Sequence, residues 1–121
     1  MKTILYVDDD LNSLILVKEQ LKWINPNIKV ITESRGENAM DTFNDYIKDI
    51  DLVISDIQIP NISGYDILLM IKRIKPEMPV IMVSASNGTR ENDYVIRKLG
   101  ASEYFIKPMS KETLSKVVEK Y

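Results

Sequence analysis

The chain has 121 residues, 45% of them hydrophobic, which suits one domain with a real core and leaves no room for a second full domain. Sixteen basic against eighteen acidic residues give a formal charge of −2, and no Lys/Arg block exceeds two residues (Lys72-Arg73, Arg97-Lys98), so nucleic-acid binding has no electrostatic footprint. Cysteine and histidine are both absent, which excludes disulfides, thiol chemistry, Ser-His and Cys-His dyads, most zinc sites and any internal phosphohistidine.

The first β-rich run, Thr3 to Val7, delivers Asp8, Asp9 and Asp10 in a row. At an effective dielectric of 20, two carboxylates about 4 Å apart repel by about 4 kcal/mol, so something must offset that cost if they converge. Leu14, Val17, Leu21 and Ile24 then keep helical spacing up to Asn25-Pro26, where the proline closes the helix. Ile28 to Thr32 reads as a second strand. Ser34 precedes Glu37 by the capping-box interval, and Ala39, Phe43 and Ile47 carry the second helix. Leu52 to Ser55 is the third strand, with Asp56 directly after it. Ser63 and Asp66 repeat the capping-box spacing before Ile67, Ile71 and Ile74, and Lys75-Pro76 ends that helix. Val80 to Val83 leads into Ser84; Val95 and Leu99 mark a weaker fourth helix, which Gly100 closes. Tyr104 to Ile106 leads into Lys107, and Leu114, Val117 and Tyr121 stripe a final amphipathic helix. Its mixed charges favour docking on the core over attachment to a membrane.

Five βα units imply a parallel sheet covered on both faces by helices and joined by right-handed crossovers. In such sheets the site lies beyond the carboxyl ends of the strands. The residues there are Asp8 and Asp9, Asp56, Ser84 and Lys107. Singly, each has an ordinary reading: an aspartate after a strand often caps a helix, a serine fills a turn, a lysine is solvated. Their joint placement after separate strands is what sets them apart.

Four segments, ILYVDDD, DLVISDIQIPNISGYDIL, PVIMVSAS and GASEYFIKPM, cover all but the second βα unit. Together they resemble the response-regulator receiver domain of two-component signalling, chemotaxis regulators included. The resemblance implies a flavodoxin-like (βα)5 fold, a doubly wound three-layer α/β/α sheet with strand order 2-1-3-4-5, with residues 1–121 forming a single receiver domain and no output segment visible. By the same resemblance Asp56 is the phosphoacceptor. Asp8 and Asp9, with Asp56 and the Gln58 backbone carbonyl, hold Mg²⁺ or Mn²⁺. Lys107 stands opposite the phosphoryl group, Ser84 hydrogen-bonds a phosphate oxygen, and Tyr104 changes rotamer in response. The Lys107-Pro108 bond is expected to be cis, and Gln58 and Ser86 occupy positions that tune phosphate lifetime. Small Ala85 serves either access for the phosphoryl group or ordinary turn packing.

The chemistry is coherent on its own terms. Mg²⁺ prefers carboxylate, water and phosphate oxygens, offsets carboxylate repulsion and neutralises a transferring phosphoryl group. Aspartate is a recognised covalent acceptor of phosphoryl groups. Without histidine the donor must be another molecule, which the resemblance implies is a sensor histidine kinase, a histidine phosphotransfer protein, or a small acyl phosphate. By the resemblance the output face would be the fourth helix, fifth strand and fifth helix, with Tyr94, Arg97, Lys98 and Tyr104, binding a downstream protein or forming a homodimer on phosphorylation. The chain then reads as a signalling domain rather than an enzyme, although it takes part in its own phosphorylation and dephosphorylation. The longest apolar run, Ile67 to Ile71, is far short of a membrane span, and the amino terminus lacks a signal-peptide pattern, giving a soluble cytoplasmic protein as the expectation.

Competing readings fit less well. A haloacid-dehalogenase-type phosphatase would use Asp-x-Asp at Asp8 and Asp10, but it wants Thr or Val where Asn12 stands, and a longer chain. A flavodoxin-like FMN module needs a phosphate-cradling loop where DDDLNS would repel one, and a pseudo-receiver would lack a site residue. A receiver module cut from a larger hybrid kinase or multidomain regulator stays open. Asp10 is expected to face solvent or cap the first helix, Trp23 to pack partially, and the six Met residues to fill gaps.

Overall fold

A computed structural model describes residues 2–85 and 90–121. Every residue of β1 (Thr3–Val7), β3 (Leu52–Asp56) and β4 (Val80–Ser84) is buried, whereas the flanking β2 (Lys29–Glu33) and β5 (Glu103–Ile106) are only partly covered. Runs rich in β-branched residues and apolar on both faces belong in the middle of a parallel sheet, covered on both sides. All ladders are parallel and the strand order is β2-β1-β3-β4-β5, as the resemblance implies.

Strand alternation divides the core in two. Leu5, Val7, Val53, Val80 and Met82 face one layer, which is closed by α2 (Gly36–Asp45), α3 (Gly64–Ile74) and α4 (Arg90–Lys98). Ile4, Tyr6, Leu52, Ile54, Ile81 and Val83 face the other, closed by α1 (Leu11–Ile24) and α5 (Lys111–Lys120). Each fully buried Leu, Ile or Phe stabilises the fold by roughly 1.5–3 kcal/mol, and Leu21, Phe43, Ile67, Leu68, Ile71 and Leu114 are all 0% exposed.

The helix stripes follow this division, with four departures from the sequence pattern. The third helix leaves Ile74 46% exposed at its last residue. The fourth helix buries Ile96 and leaves Val95 exposed. The second ends at Asp45, so Ile47 packs from a turn. Trp23 does not pack partially. It is 71% exposed, because Leu21 and Ile24 already fill the inward arc of α1, and its ring carries the Lys111 ammonium 3.3 Å from the centroid.

Caps explain where the helices begin. The Ser63 hydroxyl accepts the Asp66 N–H at 3.3 Å, and Ser110 does the same for Thr113 N–H at 3.1 Å. The capping box expected from Ser34 does not form. Arg35 is the N-cap of α2, without a side-chain cap bond, and it pairs with Glu37, Nε to Oε1 at 3.0 Å, so the carboxylate that would complete the box is already engaged. Gly100, at φ 108, turns the chain after α4 in the left-handed region that favours glycine.

Strands β3 and β4 run one residue past the apolar pattern, making Asp56 and Ser84 the last ladder residues. Gly64 clamps this edge, since a Cβ there would lie 2.2 Å from the Asp56 carbonyl oxygen and 2.6 Å from Ile57 Cα. Both obstacles are backbone and cannot swing aside. Gly64→Ala should therefore cost about 3 kcal/mol and lower the thermal midpoint by about 10 °C, measured by circular dichroism melting. A midpoint unchanged within error would show that the turn yields.

Candidate functional site

The strand order reverses between β1 and β3, and at that switch point, beyond the carboxyl ends, the charged residues converge. The alternation that sends Ile4 and Tyr6 toward α1 and α5 continues to Asp8; Ile54 hands the same face to Asp56, and Phe105 to Lys107. Two acids and one base thus meet on one side of the sheet. Lys107 Nζ is hydrogen-bonded to Asp8 Oδ2 and lies 2.9 Å from Asp56 Oδ2. The Lys107-Pro108 bond is cis, as the resemblance implies.

The burial of these groups is unequal. Asp8 is 0% and Asp56 5% exposed, while Asp9 is open to solvent. Asp8 is held from three directions: Oδ1 accepts the Asp10 N–H at 3.0 Å, and Oδ2 accepts the Tyr6 hydroxyl at 2.7 Å besides Lys107. Asp56 Oδ1 accepts the Gln58 N–H at 3.0 Å. A carboxylate oxygen from each of Asp8, Asp9 and Asp56 can be chosen so that all lie within 4.8 Å of one another. An all-oxygen, mostly anionic set at that spacing fits a hard divalent cation such as Mg²⁺.

Asp9, Gln58, Ser63, Tyr65 and Ser84 line an open cleft of about 510 Å³ beside Asp56. Ser84 is 3% exposed, and its backbone carbonyl accepts the Lys107 N–H at 2.8 Å. Tyr104 pairs with Met82 across the β4–β5 ladder and packs on the α2/α3/α4 core, where its buried hydroxyl has no hydrogen-bond partner among the described residues. Asp10 stands apart: it is the N-cap of α1, accepting Asn12 N–H at 3.0 Å and the Ser13 hydroxyl at 3.1 Å. Those bonds, Ser13 foremost, hold its carboxyl below the usual range. Ser86 lies outside the described residues.

Burial first, then the charge of Asp8, push the Asp56 carboxyl above its ordinary value, against the opposing pull of Lys107 and the Gln58 N–H. Burial would lower the Lys107 ammonium, but its bonds to Asp8 and Asp56 outweigh that and raise it. Tyr6 is pushed far upward by burial and then by Asp8, so it remains a protonated donor. The sequence alone does not single out Tyr6. Its position two residues before Asp8, on the same strand face, is the signal that finds it.

Fold and site together define a flavodoxin-like α/β protein with an acidic, lysine-bridged centre at the switch point. Residues 4–119 match the response regulator receiver domain. The response regulator SaeR of Staphylococcus aureus is 31% identical over 114 residues, covering 94% of this chain and 47% of SaeR. The autoinducer 1 sensor kinase/phosphatase LuxN of Vibrio campbellii is 32% identical over 93 residues, 77% of this chain and 10% of LuxN. The chain thus spans about half the length of one curated relative and a tenth of the other. Among solved structures, a response regulator receiver domain protein from Clostridium thermocellum superimposes with a TM-score of 0.91 at 33% identity, covering 99% of this chain and 93% of that one. The BeF3-activated receiver domain of DrrB gives 0.84 at 34%, covering 99% and 96%. The chain belongs to the response regulator receiver domain family, a signalling module of two-component systems.

The raised Asp56 carboxyl fixes the sign of a pH effect. The native state holds that proton more tightly than the unfolded chain, so this group's contribution to stability is full below the unfolded carboxyl range and is lost as pH rises through the higher folded value. In EDTA at pH 7, Asp56→Asn should therefore melt a few degrees higher than the unaltered protein, with the gain shrinking toward acid pH. A lower midpoint at pH 7 would mean that the Lys107 pairing outweighs burial.

Proposed function

We propose that the chain is a phosphoacceptor switch in which a carboxylate oxygen of Asp56 takes a phosphoryl group from a partner's phosphohistidine, or from a small acyl phosphate. The single observation that carries this reading is the setting of Asp56: nearly buried, bridged by Lys107, within reach of two further carboxylates, and next to a cleft lined by Asp9, Ile57, Gln58 and Ser84. The new P–O bond forms at Asp56 as the donor's P–N bond, or the acyl phosphate's P–O bond, breaks. No proton need be abstracted, which suits a chain without histidine.

Asp8, Asp9, Asp56 and the Gln58 carbonyl would hold a divalent cation, Mg²⁺ or Mn²⁺. When bound, such an ion offsets the repulsion among the acids and neutralises charge on the phosphoryl oxygens. Lys107 then donates from Asp56's side to a phosphoryl oxygen, and the Ser84 hydroxyl donates to another by a charge-assisted hydrogen bond. The similar DrrB receiver is described as activated by BeF3, a group shaped like a phosphoryl, which supports this use of the acidic pocket.

Movement at Ser84 reaches Tyr104, whose strand is paired with β4. An unsatisfied buried hydroxyl costs about 1–3 kcal/mol, so the inward Tyr104 is held at a disadvantage that a second, outward rotamer would relieve. Phosphorylation would shift that equilibrium and remodel the α4-β5-α5 face, where Tyr94, Arg97, Lys98 and Ile106 are already exposed. That face would engage a downstream protein or a second copy of the chain. The donor is a sensor histidine kinase or phosphotransfer protein, and the setting is the cytoplasm. The likeness to a short portion of LuxN favours one further possibility, that the same module serves within a larger sensor protein. No helix among the described residues is long and apolar enough to cross a membrane. The capping role of Asp10 weighs against a dehalogenase-type site, which needs that carboxylate in the pocket.

Intact mass after incubation with acetyl phosphate and Mg²⁺ should show one added phosphoryl group on the unaltered protein and none on Asp56→Asn; an equal gain on both would overturn the assignment. In calorimetric titration with Mg²⁺, Asp9→Ala should bind at least tenfold more weakly, in line with loss of a ligand or its support. Asp10→Ala should stay within about twofold, the scatter expected of an uncoupled site.

A further inference from the structure

Among the described residues, Tyr6 is a buried polar side chain that touches the acidic centre yet has no part in the chemistry set out above. It is 2% exposed in the α1/α5 core, and its hydroxyl donates to Asp8 Oδ2 at 2.7 Å. The same oxygen is hydrogen-bonded to Lys107, and Asp8 Oδ1 is held by the Asp10 N–H at 3.0 Å. The two donors on Oδ2 differ in kind. Lys107 sits on a flexible stem and already divides itself between Asp8 and Asp56, whereas the Tyr6 ring is held in the α1/α5 core, open only to a small cavity of about 70 Å³ on one side.

We propose that Tyr6 is a positioning residue for the cation site, its hydroxyl anchoring Asp8 so that the carboxylate keeps its aim at the cation when Lys107 turns toward a phosphoryl oxygen. The inference rests on the reading of this centre as a divalent-cation and phosphoryl site. The physical requirement is plain: a carboxylate with four acceptor positions and a single mobile donor on one oxygen can rotate, while a rigid donor on that oxygen and a backbone donor on the other fix its plane. Phenylalanine keeps the ring and removes only the hydroxyl.

The test is calorimetric titration of Mg²⁺ into the full chain, comparing the unaltered protein, Tyr6→Phe and Val17→Ala. The last thins the same core without touching Asp8. Tyr6→Phe should raise the dissociation constant about tenfold, the effect typical of losing a partner that orients a metal ligand, while Val17→Ala stays within about twofold. In the unaltered protein carrying ring-labelled tyrosine, the Tyr6 resonances should shift with the calorimetric midpoint, a readout that stands even where Tyr6→Phe does not fold. Equal affinity for Tyr6→Phe and the unaltered protein, an equal loss in Val17→Ala, or Tyr6 signals indifferent to Mg²⁺ would each overturn the proposal and leave the phosphoacceptor reading intact. Absence of Mg²⁺ binding by the unaltered protein would overturn both.

Discussion

One ammonium serves two buried carboxylates, and most of the molecule is arranged around that imbalance. Lys107 is bonded to Asp8 and Asp56 at once, yet it supplies one positive charge against two negative ones, with Asp9 adding a third at the rim. A low-dielectric setting magnifies both the attraction and the residual repulsion. The surplus is kept tolerable by fixed dipoles: the Asp10 and Gln58 N–H groups and the Tyr6 hydroxyl all point their positive ends at carboxylate oxygens. The net charge of the centre stays negative, and its oxygen-only set is of the kind that suits a hard divalent cation.

Holding such a centre requires a frame that cannot relax away from it. The middle three strands supply this, each buried along its whole length and braced by one hydrophobic layer on either face. The parity of the strands then decides which residues meet. Asp8, Asp56 and Lys107 converge because each follows, at a spacing of two, a residue of the α1/α5 core. The glycine at position 64 lets the next helix press onto the backbone of Asp56 and Ile57, so the position of Asp56 is braced by main chain. Stability is invested in geometry here, and charge repulsion is the strain the geometry retains.

That parity is also why so much was legible beforehand. Short β-rich runs, helical spacing and proline stops are local signals, and the converging residues stand out because each follows a separate strand of a βα series; the strand order and the roles of those residues come from the family resemblance. The failures share one physical cause, competition decided by tertiary neighbours. Ser34 has the right residue type for a cap, but Arg35 engages Glu37 and takes the position. Val95 and Ile96 are equally apolar, and only the packing of α4 on the sheet chooses Ile96. Trp23 is the largest apolar side chain of α1 and still lies outside, because the inward arc is already full. Tyr6 is hidden in the sequence for the opposite reason: an aromatic residue in a strand reads as core, and its second role lies in its bond to Asp8, two residues on and on the same face.

The position of Trp23 has a further consequence. It is the chain's one tryptophan, it lies twelve residues beyond Leu11 in α1, about 18 Å along the axis from the helix end nearest the acidic centre, and its ring is covered by a lysine of α5. The intrinsic emission of this protein is therefore a gauge of the seam between the first and last helices. Quenching by an incoming ion or phosphoryl group would have to travel through the fold, and any change in the fluorescence reports how far a disturbance at the acidic edge spreads into the opposite end of the molecule.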